Sequence, residues 1–365
     1  MKPERFEKLR SMMAERDLDA VALVPGNAFR YYFGVDMPFL ERPTVVLLPR
    51  SGEPQAVIPA LERQTWEGLG FPGEVCYWRD EDGYTRAFAG LAGKHSYRRL
   101  GVESFRMRVA ELFAVRSMCE GAEIVPIHAE LWQLRAQKDR DEIERIRHAA
   151  KASEQALART LDTVRVGMSE VEIRATLQQH IAASPGVGVT GELLVLAGDN
   201  SARPHGRSRL DYRIRRGDAL LIDFAATFEG YTSDFTRTAF VGAISPDQRA
   251  FYDAVRHANE IGRLAVRSGV TAHAVDDAVQ CSIEQSGFRD FIVHKTGHGL
   301  GLDVHEFPHI MRGNSAILRE GNVITIEPGL YKSGEMGVRI EDVVVVTAGG
   351  REELTTFPRE PMIIG

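Results

Sequence analysis

Apolar residues along this chain follow two spacings, and the change from one to the other marks out its organisation. Residues from about Glu4 to Glu15 read as a charged amphipathic helix, and Ala20-Val21-Ala22-Leu23-Val24 as the strand that follows it. Further strands are predicted at Thr44-Val45-Val46-Leu47-Leu48, Ala56-Val57-Ile58 and Arg99-Leu100-Gly101-Val102, with helical stretches between them. Strands and helices in alternation make a small α/β layer. A longer helix begins near Asp141, where Ile143, Ile146, Ala150, Leu157 and Leu161 share a face and charges occupy the other. The polar stretch Leu134-Arg135-Ala136-Gln137-Lys138-Asp139 before it sets the expected boundary, dividing an N-terminal domain of residues 1–135 from a C-terminal domain of residues 136–365.

In the C-terminal part, Ser169 with Glu172 has the form of a capping box. Ser245-Pro246-Asp247-Gln248 opens another helix with a cap, a proline at its first position and a glutamine at its third. Gly269 is expected to end that helix, and a further one runs from about Ala272 to Ser286. Each set of helices precedes a strand hairpin, a faint duplication of organisation. Periodicity alone gives an α+β fold.

The apolar runs end in acids. Ala219-Leu220-Leu221-Ile222 leads into Asp223, and Asp234 follows the turn Glu229-Gly230-Tyr231 on the returning strand. Val323-Ile324-Thr325-Ile326 leads into Glu327, behind which Pro328-Gly329 breaks the strand, and Glu341 borders the run Val343-Val344-Val345-Val346. One acid in such a place is as readily a strand-end cap or a local ion pair. Repeated buried acids need compensation, and bound cations supply it. With His298 they form a hard, oxygen-rich set suited to two divalent cations, which points to metal-assisted hydrolysis.

Composition narrows the setting. With 44% hydrophobic residues among 365, the chain can bury a sizeable core and fill two domains. A net charge of −6 without long single-sign blocks argues against nucleic acid or an anionic membrane surface as a partner. No apolar run is long enough to span a bilayer and no signal core follows Met1, so the cytoplasm is the expected location. Cys76, Cys119 and Cys281 lack metal-site spacing and read as buried or incidental thiols.

From Gly217 to Glu360 the chain resembles the pita-bread metallopeptidases, the family of methionine aminopeptidase, aminopeptidase P and prolidase. The resemblance rests on Ile222-Asp223, Tyr231-Thr232-Ser233-Asp234-Phe235-Thr236-Arg237-Thr238, Thr296-Gly297-His298-Gly299-Leu300-Gly301 and His305-Glu306-Phe307-Pro308. It continues through Glu327-Pro328-Gly329-Leu330-Tyr331 and Gly337-Val338-Arg339-Ile340-Glu341-Asp342. Ala225 stands where the family commonly has glycine, a change of packing that removes no ligand. The implied architecture is a C-terminal pita-bread, creatinase/aminopeptidase-like domain with metals between two related halves, and a smaller creatinase-like α/β domain before it.

The resemblance implies two divalent metal ions, Mn²⁺ or Co²⁺ in first place, with Zn²⁺ or Fe²⁺ also able to accept such ligands. Asp223 is expected to bind one metal, Asp234 and Glu341 to bridge both, and His298 and Glu327 to complete the other site. Glu327 is also the expected general base. His305 would stabilise the oxyanion, and His205 would sit near the leaving group or its carboxylate. His294, His309, Arg339 and Tyr331 are candidate substrate contacts, with packing an equal reading for His294. Gly297, Gly299 and Gly301 are expected to let the backbone approach a ligand. His95, His128, His148, His180, His257 and His273 read as packed or surface residues.

The N-terminal domain, Pro204-His205 and His305-Glu306-Phe307-Pro308 resemble the Xaa-Pro peptidases more than methionine aminopeptidases. The expectation is hydrolysis of the bond before proline in di- or oligopeptides, leaning to Xaa-Pro dipeptidase (prolidase), with Xaa-Pro aminopeptidase as the alternative. Some prolidases carry an arginine where this chain has His309, which weakens the dipeptidase case; Arg203, Arg207 and Arg312 are alternative carboxylate anchors that each read more readily as exposed surface arginines. A metal-dependent lyase-type enzyme and a non-catalytic binding protein on the same scaffold are readings of other classes. A homodimer is implied by resemblance alone, with the N-terminal domain serving access or dimerisation.

Overall fold

The computed structural model describes residues 2–94 and 96–365, so His95 lies outside the described residues. It divides into two compact units, 1–135 and 136–365.

The first unit is built on a six-stranded sheet in the order Glu74–Trp78, Gln55–Pro59, Val45–Pro49, Ala20–Leu23, Arg99–Val102, Glu123–Pro126. Val45–Pro49 runs antiparallel to both its neighbours and the other pairings are parallel. The sequence pattern predicts neither of the two outermost strands; both are edges and half-exposed. Helices Tyr84–Leu91 and Val109–Met118 pack over the sheet through Phe88, Leu91, Val115 and Met118.

The second unit repeats one design twice. In its first half the helices Arg140–Thr163 and Glu170–Ala182 cover a sheet ordered Met362–Ile364, Tyr231–Val241, Ala219–Phe228, Val187–Ala197. Leu157, Leu177, Ile222 and Phe235 lie in their shared core. In its second half Pro246–Ala265 and Ala272–Gln285 cover a sheet ordered Glu306–Ile310, Gly297–Gly299, Val323–Ile326, Asp342–Thr347, Gly350–Glu353. The boxes at Ser169 and Ser245 form with both reciprocal bonds. The helix expected to run to Gly269 stops at Ala265, its C-cap Val266 extended, and Gly269 lies three residues beyond that cap at φ +89°.

Two details correct the strand pattern. Asp223 does not end its strand, which continues to Phe228, so the acid lies mid-strand on a sheet face. Glu327 and Glu341 do not share a simple hairpin. Val323–Ile326 pairs with Asp342–Thr347, then a separate ribbon of Gly329–Lys332 and Met336–Arg339 emerges between them. Both glutamates sit at the break between these pairings.

A buried arginine joins the two halves beneath that break. Arg237 donates to the carbonyls of Thr236, Glu341, Phe357 and Pro358 and to the Asp342 carboxylate. Burial raises the Asp342 carboxyl, but Arg237 and Arg359 outweigh it and bring it to about 2. That contribution to stability is present above the ordinary Asp range and is lost only as pH falls toward 2. Removing Arg237 leaves buried acceptors without their donor, and Arg237→Met is expected to cost roughly 3–5 kcal/mol in urea unfolding. A loss below about 1 kcal/mol, the worth of an exposed pair, would contradict this role.

Candidate metal centre

The aspartate strands place four side chains on one face. Asp223 is opposite Thr236 and Ala225 opposite Asp234, and paired residues in an antiparallel sheet project to the same side. Asp223 and Asp234 are therefore diagonal neighbours. From the other half, Glu327 and Glu341 enter where the strand pairing breaks, with Glu327 N bonded to Thr296 O at 2.8 Å and Glu341 N to Thr236 O at 3.1 Å. His298 comes from a three-residue strand whose glycines approach neighbouring backbones. A Cβ on Gly297 would lie 2.1 Å from Thr325 O, and one on Gly299 would lie 2.3 Å from Phe307 O. These two glycines serve strand contact, which replaces the expected approach to a ligand, and Gly301 packs against Lys138 and Glu306.

Three overlapping groups have ligand atoms within 4.8 Å of one another: Asp223 with Asp234 and Glu341, His298 with Glu327 and Glu341, and Asp234 with His298 and His305. All five predicted ligands are thus together, and Asp234, His298 and Glu341 each belong to two groups. His298 donates Nδ1–H to Gly299 O at 3.0 Å, which directs Nε2 toward Glu327 at 3.1 Å and Asp234 at 3.7 Å. The Glu341 carboxylate accepts from Thr236 Oγ1 at 2.6 Å through one oxygen, while Oε1 is buried without a partner among the described residues.

Electrostatics follow from this crowding. Burial, then the charge of Asp223, pushes Asp234 up to about 7, and burial with Asp234, Glu327 and Asp223 raises Glu341 well above the usual range. Burial also raises Glu327, but its His298 hydrogen bond and the nearby positive charges outweigh it and hold the carboxyl at about 2. Burial lowers His298, yet Glu327 and Asp234 reverse that and raise it.

The surrounding cavity, about 1110 Å³, is lined by the five ligands together with His205, His294, His305, Lys295, Arg203, Arg207 and Arg339. Arg339 ion-pairs with Asp223 and donates to Tyr331 Oη at 2.6 Å. Tyr331 lies 2.9 Å from His294 Nε2, and His294 Nδ1 donates to Lys295 O at 2.7 Å. Burial pushes His294 below its usual value, so the neutral ring accepts from Tyr331. His305 packs edge-on against His298, ring centroids 4.2 Å apart; desolvation and the His298 charge push it down to about 4. His309 is not on the cavity wall; its Nδ1 accepts from Lys295 at 2.9 Å. Arg312 pairs with Asp277 and Glu284 on the surface.

Residues 144–348 match the model of metallopeptidase family M24, and residues 5–137 match that of the creatinase/prolidase N-terminal domain. The chain belongs to metallopeptidase family M24. It is accordingly a metal-dependent hydrolase with a creatinase-like N-terminal domain and a pita-bread C-terminal domain. It is 32% identical to the Xaa-Pro dipeptidase of Pyrococcus furiosus over 98% of this chain and 99% of that protein. It is also 32% identical to the probable dipeptidase PepE of Mycobacterium tuberculosis over 96% of this chain and 93% of that protein. The crystal structure of a recombinant prolidase from Thermococcus sibiricus superposes with a TM-score of 0.93 at 33% identity, covering 100% of both chains.

Family M24 implies divalent metal ions, and this donor set fits them. Four carboxylates and an imidazole nitrogen converge in one pocket, and Glu341 Oε1, buried without a partner among the described residues, is an acceptor open to a cation. Among the other histidines, His128 stacks on Phe105, His148 on Phe228, His180 bonds Thr160 and His273 accepts from Gly313 N, while His257 is exposed. None of these belongs to the clustered groups.

Sequence reasoning missed Asn259. From the helix Pro246–Ala265 its buried side-chain amide donates to Ile326 O at 3.0 Å and Ile340 O at 3.3 Å, the carbonyls immediately before Glu327 and Glu341. Arg263 holds the amide oxygen at 2.8 Å. One side chain thus spans the strand break that separates the two glutamates. Asn259→Ala is expected to weaken Mn²⁺ binding about 10–100-fold by calorimetry, as loss of support behind ligands does; unchanged affinity would contradict it.

Asp234 keeps its proton up to about pH 7 when folded and releases it near pH 4 when unfolded. The native state therefore binds the extra proton between those values, and stability falls as pH rises through them. Relative to Asp234→Asn, the melting temperature of the metal-free protein should fall from pH 5 to pH 7.5, a comparison in which the opposite contributions of His294, His305 and His309 cancel, and the stabilisation by added Mn²⁺ should grow over the same range. A difference between the two proteins that is flat or rising with pH would refute this charge assignment.

Proposed function

We propose that this chain is a dinuclear-metal Xaa-Pro dipeptidase, hydrolysing the peptide bond before a C-terminal proline. The observation that carries it is the convergence of the five ligands in a cavity whose wall also presents His205 and His305, within a chain similar along its whole length to a named Xaa-Pro dipeptidase. Asp223, Asp234, His298, Glu327 and Glu341 would hold the metals. When bound, two divalent cations polarise the scissile carbonyl and acidify the attacking water.

The protein's own groups do the rest. Glu327, kept ionised beside His298, accepts the proton of the attacking water and passes it to the leaving nitrogen. That transfer matters because a prolyl nitrogen brings no N–H of its own. His305, neutral near pH 7, donates a hydrogen bond to the oxyanion. His205, exposed at the cavity rim, contacts the leaving proline. Arg339 orients Asp223, and Tyr331 and His294 hold Arg339 and the wall behind the substrate.

Mn²⁺ or Co²⁺ is the metal we assign, in a cytoplasmic homodimer, with the N-terminal domain serving dimerisation and substrate access. The donors are hard oxygens with one imidazole, and no helix among the described residues is long and apolar enough to cross a membrane. Val109 and Phe113, one helical turn apart and both exposed, give that domain an apolar face for a second copy.

Metal-free protein reconstituted with Mn²⁺ should cleave Ala-Pro faster than Ala-Pro-Ala and leave Ala-Ala intact. Tripeptide turnover equal to or above the dipeptide's would make it an Xaa-Pro aminopeptidase, and inactivity on all three would overturn peptidase activity. Glu327→Ala should lose on the order of 10²–10⁴-fold in kcat, whereas His205→Ala should only slow turnover. A fully active Glu327→Ala variant would remove it as the base.

A further inference from the structure

A dipeptidase must grip a free carboxylate, and the cavity wall carries a cation suited to it. Lys295 lines the cavity with the metal ligands and His305, and it is half-buried. Its ammonium donates to His309 Nδ1 at 2.9 Å, and among the described residues no carboxylate lies within ion-pairing distance. The other buried cation of the wall, Arg339, is committed to Asp223, and Arg209 is committed to Glu170 and Asp199. Arg203 and Arg207 also line the cavity but are exposed on a loop.

The setting of Lys295 is rigid. On one side His294 Nδ1 donates to its carbonyl at 2.7 Å; on the other, Thr296 N donates to Asp276 Oδ1 at 2.8 Å. His309 accepts through Nδ1, so that nitrogen carries no proton, and burial with the Lys295 charge keeps the ring below its usual value. The pair therefore carries one positive charge, its position fixed by a neutral base. One of three ammonium N–H bonds is used, which leaves two donors for a carboxylate. Half-burial strengthens such a charge-assisted bond relative to one from an exposed arginine. The charge also reaches the reacting centre, since it contributes to lowering His305.

We propose that Lys295, held in place by His309, anchors the free C-terminal carboxylate of the substrate and so makes this site select dipeptides. This rests on the Xaa-Pro reading above. The role assigned to an arginine at the position of His309 in some prolidases falls here to a lysine from a neighbouring segment. His309 becomes its support.

The test compares Ala-Pro with Ala-Pro amide, which has the same scissile bond and no terminal charge. In Mn²⁺-loaded enzyme, Lys295→Met should raise KM for Ala-Pro roughly 10- to 100-fold, the worth of a hydrogen bond to a charged group. KM for the amide should be unshifted, and Lys295→Arg should recover most of the loss for the acid. Equal effects on acid and amide, or no effect on the acid, would overturn the anchor. So would an acid-selective loss in Arg203→Ala/Arg207→Ala instead. Should the wild type cleave neither peptide, the Xaa-Pro reading fails by itself. Calorimetric binding of proline and prolinamide then judges the anchor: loss confined to proline in Lys295→Met supports it, and equal loss or none overturns it.

Discussion

Four carboxylates enclosed within a few ångströms repel one another and lose their hydration, and the rest of the C-terminal unit is arranged around that cost. Asp234 and Glu341 respond by holding protons above their ordinary range. Arg339 neutralises Asp223, and His298 bonds Glu327. Behind them, Arg237 fastens the carbonyls of Thr236 and Glu341, and Asn259 fastens those of Ile326 and Ile340. The Arg237 bonds hold the two halves together against this negative charge, and the Asn259 bonds hold together the strand break that carries the two glutamates. Divalent cations complete the arrangement, since they replace both protons and local ion pairs with one interaction.

Much of this was legible because a buried strand leaves an uninterrupted apolar run and a buried acid is conspicuous at its end. Asp223 and Glu327 follow such runs, Glu341 stands beside one, Asp234 lies past a hairpin turn and His298 between glycines, and the structure gathers all five. Other features depend on partners that the local pattern does not encode. Asn259 meets carbonyls 67 and 81 residues away, and neither its type nor its place on an amphipathic helix hints at them. The edge strands Glu74–Trp78 and Glu123–Pro126 carry only short apolar runs, Val75-Cys76-Tyr77-Trp78 and Ile124-Val125, which the local pattern does not separate from a helical stretch. Val187–Ala197 was missed although Leu193-Leu194-Val195-Leu196-Ala197 is a continuous apolar run, since Gly188, Gly191 and Glu192 interrupt only its first half. Asp223 was read as a strand end, since an acid interrupts the apolar run even where the hydrogen-bonded ladder continues to Phe228.

On the function proposed above, the site divides its work between two kinds of residue. The acids and His298 would hold the metals and set the reaction class. The cations and remaining histidines of the wall would face the substrate and determine what enters. His294, Tyr331 and Arg339 connect the two sets, running from the Asp223 carboxylate to the backbone of Lys295. A change in substrate preference can therefore arise at Lys295 or His309 without disturbing the metal ligands, which fits one scaffold serving several peptidases.

Anomalous diffraction from crystals grown with Mn²⁺ tests most directly whether the buried carboxylates form a two-cation centre. The account predicts two peaks in this cavity, one held by Asp223 and one by His298 and Glu327, with Asp234 and Glu341 contacting both. A single peak, or peaks that leave Asp234 or Glu341 without a metal contact, would contradict it.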